Sequence, residues 1–155
     1  MGTTRITRLV HARPAQVYRA LVDAEAVARW RFPGGMSIQV HEFDGRVEGR
    51  VRISLTYEAA DRAGKTTSHT DTYRGRFVEL VPDQRVVEVD EFETDDPALR
   101  GEMTSTITLL ATEDGDTQVT AVHDGVPDAV RPEDNEIGWR EALDRLAALV
   151  EDRPR

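Results

Sequence analysis

Apolar and polar side chains alternate along much of this chain, and a period of two predicts β-strands. The clearest case places Val51, Ile53, Leu55 and Tyr57 between polar neighbours. Turn signals such as Asp44-Gly45 separate the alternating segments. Seven strands are predicted in this way, over residues 3–10, 36–40, 51–57, 70–81, 85–92, 103–109 and 119–123.

Two parts of the chain follow a helical period instead. Pro14 suits a first helical turn and precedes apolar residues at helical spacing, while Asp23 can cap a second short helix over residues 24–30. The last part predicts an amphipathic helix from about residue 133 to 152, roughly 30 Å long at 1.5 Å per residue. Asp134 or Asn135 is the expected cap. The apolar positions of this helix are Ile137, Trp139, Leu143, Leu146, Leu149 and Val150.

The order of these elements predicts the architecture. One strand, two short helices, six strands and a long helix indicate an α+β fold in one domain over residues 1–155. Strands joined by short turns pair in antiparallel fashion. A curved antiparallel sheet of about seven strands should therefore wrap around the long C-terminal helix, with an apolar cavity between them.

Composition narrows the class of function. The 155 residues carry a formal net charge of −9 and contain no cysteine, which excludes disulfides and thiolate chemistry. An acidic chain offers no electrostatic footprint for nucleic acid or anionic membranes, so neither is expected as a partner. Without a long apolar run or signal peptide, we expect a cytoplasmic protein. Lys65, the single lysine, lies in a predicted polar turn over residues 61–65, which disfavours Schiff-base chemistry.

Three ordered stretches carry a resemblance to a known family. The stretches are PAQVYRALVD at 14–23 running on to Trp30 and Pro33, GRFVELVP at 75–82 with 85–87, and VHDGVP at 122–127 with GWREALDRL at 138–146. With these stretches the chain resembles the helix-grip proteins of the START-like (SRPBCC) superfamily, and more closely its AHSA-type members, which are similar to the C-terminal domain of the activator of heat-shock protein 90 ATPase. That resemblance implies the helix-grip fold and a chaperone-associated role.

The resemblance has one departure. Where the family often has two adjacent tryptophans, this chain has Trp30 followed by Arg31. A cation is therefore expected in place of one aromatic wall at the cavity mouth, which argues against a purely lipid-like ligand.

Alternation also predicts which side chains line the cavity. They are either cavity wall or ordinary core, and the pattern alone does not separate the two. As ligand-binding candidates we take Trp30, Met36, Ile38, Val40, Ile53, Leu55, Tyr57, Phe77, Val89, Glu91, Ile107, Val119, His123, Trp139 and Leu143.

Polar residues on the predicted inward faces are candidates for chemistry. His123 follows Val119 and Ala121 on one face and could bind a ligand or move a proton; the alternative is a histidine hydrogen-bonded to backbone. Glu91 follows Val87 and Val89 and could become a buried base. His69, Asp71 and Tyr73 share a face, either as a polar cluster at the cavity mouth or as a solvated edge. The acidic stretch from Asp90 to Asp96 is expected to be a solvated loop and not a calcium site.

Three functions remain open from the sequence. The first is a module that binds a small hydrophobic or amphipathic ligand. The second is a chaperone-associated or stress-response protein, which the resemblance alone implies. The third is a cyclase- or hydrolase-type enzyme using His123, Glu91 or Asp71. No residue is assigned as catalytic, no metal or cofactor is expected, and the chain could be a monomer or a homodimer.

Overall fold

The computed structural model describes residues 2–58 and 69–151. The predicted turn over 61–65, with Lys65, and the predicted last helical residue, Asp152, lie outside these ranges. None of the described helices is long and apolar enough to cross a membrane. The elements are β1 (Gly2–Val10), α1 (Pro14–Val22), α2 (Ala24–Trp30), β2 (Met36–Phe43), β3 (Arg50–Tyr57), β4 (Thr70–Val81), β5 (Arg85–Phe92), β6 (Met103–Ala111), β7 (Thr117–Val126) and α3 (Pro132–Glu151).

The predicted sheet is confirmed. In the described part of the chain, seven antiparallel strands lie in the order β1-β7-β6-β5-β4-β3-β2, so every sequential pair from β2 to β7 is a hydrogen-bonded neighbour. β1 joins the far edge by pairing with β7. The sheet curves around α3, and the fold is the α+β helix-grip fold.

Local signals explain most helix boundaries. Pro14 opens α1, and the carboxylate of Asp23 accepts a hydrogen bond from the backbone N–H of Ala26 at 3.0 Å, which caps α2 as predicted. α3 begins at Pro132, earlier than predicted. The prediction that Asp134 or Asn135 caps this helix is therefore wrong, and the Asn135 side chain bonds elsewhere.

The core lies between α3 and the concave face of the sheet. Leu143 and Leu146 of α3 are fully buried and belong to one apolar cluster with Ile53, Phe77 and Val119 from three strands. Each such side chain contributes about 1.5–3 kcal/mol through removal of apolar surface from water. α3 therefore holds the sheet through its middle and C-terminal turns.

The inward face of β5 differs from the prediction. Val86, Glu88 and Asp90 are buried, whereas Val87, Val89 and Glu91 occupy the other face. The prediction followed the apolar residues of the strand taken alone. Pairing decides the face, because neighbours in register share a side of the sheet. The buried β5 residues pair with the buried residues of β6, namely Val86 with Ile107, Glu88 with Ser105 and Asp90 with Met103.

Candidate functional site

A cavity of about 800 Å³ lies between the sheet, the end of α2 and the N-terminal half of α3. This volume falls within the range of about 300–1,000 Å³ that small-molecule sites occupy. Its rim includes the loop after α2 and Ile137, whose side chain is exposed. Six of the predicted ligand-binding residues line it: Trp30, Met36, Leu55, Tyr57, His123 and Trp139.

The remaining predicted residues fall into two groups. Seven belong to the packed core or lie against it: Ile38, Val40, Ile53, Phe77, Ile107, Val119 and Leu143. The other two, Val89 and Glu91, lie on the outer face of the sheet. Glu91 is a partner of Arg74, with 3.2 Å between Nη2 and Oε1 and a side chain that is 40% exposed. The expectation that Glu91 becomes a buried base is therefore wrong.

Arg31 lies inside the protein instead of at the mouth. It follows the last residue of α2, and its side chain is only 18% exposed while that of Glu88 is 2% exposed. The guanidinium donates two hydrogen bonds to the Glu88 carboxylate, one of them at 2.8 Å from Nη1. Burial alone would lower the pKa of Arg31 and raise that of Glu88. Their mutual attraction is the stronger effect, so the pKa of Arg31 is raised and that of Glu88 is lowered. The two groups form a buried ion pair.

Asp90 is next to this pair and lines the cavity. Burial, together with the negative charge of Glu88, raises the pKa of Asp90 well above its usual range, which favours the protonated form of its carboxyl. One oxygen, Oδ1, is fully buried and has no hydrogen-bond partner among the described residues. It packs over Gly75, where an added Cβ would overlap both Asp90 and the carbonyl oxygen of Val89. Only glycine at position 75 leaves room for this carboxyl.

Asp71 and Tyr73 of β4 also line the cavity. Asp71 is 3% exposed, so it does not belong to a solvated edge. Arg31 lies over the Tyr73 ring, 5.5 Å from its centroid, and burial raises the pKa of the phenol, which therefore stays neutral. His69, the third member of the predicted cluster, is not part of the cavity wall.

His123 joins β7 to α3. Its Nδ1 lies 3.1 Å from the indole nitrogen of Trp139 and 3.1 Å from the side-chain nitrogen of Asn135. Indole nitrogen can only donate, so Nδ1 must accept, and the proton of a neutral ring is on Nε2. Burial, followed by the positive charge of Arg31, lowers the pKa of His123 to about 4. At neutral pH the residue therefore offers one N–H.

Pairing places these groups on adjacent strands. His123 is in register with Ser105, and Ser105 is in register with Glu88, so the three lie in one row across β7, β6 and β5. Ser105 lines the cavity. One end of the cavity thus carries uncharged donors beside a neutralised ion pair.

Sequence reasoning missed Glu88, Asp90 and Ser105 as lining or supporting residues, and it expected Arg31 in the wall of the cavity mouth without its buried partner Glu88. Asp90 was assigned to a solvated loop, although Glu88 and Asp90 alternate with valines on a strand. If the alternation of β5 is matched to the clear alternation of its partner β6, both carboxyls are predicted to face inward. Within 2–58 and 69–151, no group of three or more histidine or acidic residues is arranged to hold a metal ion.

Comparisons with known proteins agree with this architecture. Residues 11–151 match the family model described as Activator of Hsp90 ATPase homolog 1-like protein. A crystal structure of a protein from Chromobacterium violaceum is 38% identical, with a TM-score of 0.85 and coverage of 99% of this chain and 98% of that one. The AHSA1 protein from Silicibacter pomeroyi shares the fold at 18% identity, with a TM-score of 0.78 and coverage of 97% and 98%.

No curated protein matches the chain. The family match spans most of its length, from the end of β1 to the last described turn of α3. The chain therefore belongs to the family of Activator of Hsp90 ATPase homolog 1-like proteins.

Proposed function

We propose that the protein binds a small amphipathic molecule in the cavity between the sheet and α3. The observation that supports this most directly is a cavity of about 800 Å³ whose wall is largely apolar and to which β4 to β7 contribute a set of polar groups. Apolar pockets with a few convergent polar groups are the usual form of small-molecule sites. The apolar body of the ligand would pack against Trp30, Met36 and Leu55.

The polar groups support binding better than proton-transfer catalysis. Arg31 and Glu88 satisfy each other, and His123, with a pKa of about 4, is a weak base at neutral pH. Glu91, the other candidate base, lies on the outer face of the sheet. These groups are suited to holding a ligand in one orientation.

A matched pair of substitutions on α3 tests the proposal. Ala142 is buried and lines the cavity, whereas Ala148 is exposed. We expect Ala142→Phe to weaken binding of a neutral hydrophobic fluorophore, N-phenyl-1-naphthylamine, while Ala148→Phe leaves it unchanged. Circular dichroism and the melting temperature check that both variants fold. Native mass spectrometry of the purified protein would look for a co-purified ligand.

The proposal fails if the fluorophore does not bind the wild-type protein and no molecule co-purifies. It also fails if both phenylalanine variants fold and bind the fluorophore as the wild type does. Because Ala142→Phe could disturb packing, Ala129→Trp on the exposed rim of the cavity serves as a second blocking variant.

A second candidate is an interaction with an Hsp90-type chaperone, which the family description supports over residues 11–151. Its test is direct. The purified protein would be added to the chaperone, and the ATPase rate and co-precipitation would be measured. An unchanged rate together with no co-precipitation would remove this candidate.

A further inference from the structure

The polar row formed by His123, Ser105 and the neighbouring Glu88 constrains the chemistry of whatever enters the cavity. His123 presents Nε2 without a hydrogen-bond partner among the described residues, because Trp139 and Asn135 both occupy the Nδ1 side. The ring must therefore offer a donor to the cavity at neutral pH. Such a donor calls for an acceptor on the ligand.

Ser105 adds a second donor in the same row. It is in register with His123 on the neighbouring strand, about 4.8 Å away across the sheet. Its hydroxyl lies in the cavity wall and can donate a hydrogen bond to a ligand. A single ligand oxygen between these two side chains could accept both hydrogen bonds. A carbonyl or hydroxyl oxygen has two lone pairs and can therefore accept from both donors.

Charge around the row disfavours an ionised ligand group. Arg31 is neutralised by Glu88, so it offers no net positive charge to a carboxylate. Acidic residues also outnumber basic ones in the cavity wall, since Glu58, Asp71, Asp134 and Glu141 face only Arg31 and Arg131. An ammonium group is disfavoured at His123 for a different reason: it has only donors, and the Nε2–H of His123 cannot accept a hydrogen bond from it.

We propose, on the basis of the proposed cavity-binding function, that the polar end of the ligand is an uncharged oxygen, a carbonyl or a hydroxyl. This oxygen accepts hydrogen bonds from Nε2–H of His123 and Oγ–H of Ser105. The Tyr73 hydroxyl and the Asp90 carboxyl lie on the adjacent strands β4 and β5 and keep this end of the cavity polar. The ligand class is therefore a neutral ketone, aldehyde, ester or alcohol with an apolar body.

Displacement of N-phenyl-1-naphthylamine by four ten-carbon compounds tests this assignment at pH 7. Decan-2-one and decan-1-ol carry an uncharged oxygen, decanoic acid an anion and decylamine a cation, on chains of matched length. We expect the ketone and the alcohol to bind about tenfold more tightly than either ion, because an ion loses its solvation in the cavity without gaining a charged partner.

Variants of the two donors complete the test. Ser105→Ala is expected to weaken decan-2-one binding about threefold to tenfold, the effect of one hydrogen bond. Ser37→Ala, on the exposed side of β2, is the matched control and should change neither decan-2-one binding nor fluorophore binding. His123→Leu should weaken ketone binding further, and Ser105→Ala carries the test alone if that variant does not fold.

The outcomes separate the two proposals. If the fluorophore binds but all four compounds displace it equally, or an ion displaces it best, the assignment of an uncharged oxygen is overturned and cavity binding stands. Ketone binding that is unchanged in Ser105→Ala and in folded His123→Leu also overturns the assignment. If neither the fluorophore nor any compound binds, the proposed function itself fails.

Discussion

The indole N–H of Trp139 donates a hydrogen bond to Nδ1 of His123 over 3.1 Å, and this contact links α3 to β7 at the wall of the cavity. The two rings also meet edge to face, with centroids 5.5 Å apart and an interplanar angle of 64°. Asn135, one turn earlier on α3, approaches the same ring nitrogen and also donates to Thr4 of β1. The position of α3 therefore sets the tautomer of a residue on the sheet.

The first prediction concerns the protonation of His123. Nitrogen-resolved NMR should find a neutral ring with its proton on Nε2 at pH 7, and titration should give a pKa of about 4. Trp139→Phe removes one donor to Nδ1, so protonation there becomes easier and the pKa should rise. A proton on Nδ1 in the wild type, or a pKa near 6.5, would contradict the geometry described for this residue.

The second prediction is a pH dependence of stability. The pKa of His123 is about 4 in the folded protein and about 6.5 in the unfolded chain, so the unfolded state binds more protons between these values. The contribution of His123 to the free energy of unfolding is present in full above about pH 6.5 and is lost as pH falls toward 4. The loss is on the order of 3 kcal/mol.

A difference measurement isolates this effect from other groups. Asp90 has a raised pKa, so its contribution to the free energy of unfolding is lost as pH rises, in the opposite sense to His123. Glu88 has a lowered pKa, so its contribution is lost as pH falls. Denaturant unfolding of the wild type and of His123→Gln should be compared at pH 7 and pH 4.5. The wild type should lose more free energy of unfolding than the variant; equal losses would refute the prediction.

The third prediction concerns the buried pair of Arg31 and Glu88. Arg31→Met or Glu88→Met alone leaves one charge buried without its partner, which should cost about 3–5 kcal/mol of unfolding free energy. The double variant should be more stable than the sum of the single losses implies, because neither charge remains. Breaking the exposed pair of Arg140 and Glu136 with Arg140→Ala should cost less than about 0.5 kcal/mol. Additive losses at positions 31 and 88 would argue against the pair.

The fourth prediction compares two glycines. A Cβ at Gly75 would overlap the carbonyl oxygen of Val89 and the carboxyl of Asp90, so Gly75→Ala should destabilise the protein by at least about 2 kcal/mol. Gly138 lies within α3, and its Cβ would meet Pro33 at an ordinary 3.5 Å. Gly138→Ala should therefore stabilise the protein by about 0.5–1 kcal/mol through helix propensity. Thermal unfolding measures both, and shifts of the same sign would refute the comparison.

Strand positions and helix positions were predictable because they depend on local periodicity. Every strand predicted from alternation is present, and the capping role of Asp23 followed from its position just before an apolar segment. α3 begins at Pro132 because proline is well tolerated in the first turn of a helix. This is a stronger local signal than the polar residues Asp134 and Asn135 that follow it. Six of the fifteen predicted site residues line the cavity, since alternation alone cannot separate a cavity wall from filled core.

The inward face of β5 shows where local reasoning stops. Val87 and Val89 are apolar, so a single strand suggests that they face the core, yet the strand turns Glu88 and Asp90 inward. That choice is favourable only because Arg31, more than fifty residues earlier in the chain, neutralises Glu88 and because Gly75 leaves room for Asp90. The alternation of residues within β5 does not reveal the contribution of Arg31 or of Gly75.

The sequence by itself determined the order of the elements, the antiparallel pairing of successive strands and the apolar stripe of α3, because each depends on neighbours within one or two turns of chain. Only the tertiary structure decided which carboxyls are buried, which nitrogen of His123 carries the proton and how much of the interior stays empty. Those properties arise from side chains that are distant in sequence and meet across the sheet and α3, where burial and charge act over a few ångströms regardless of chain separation.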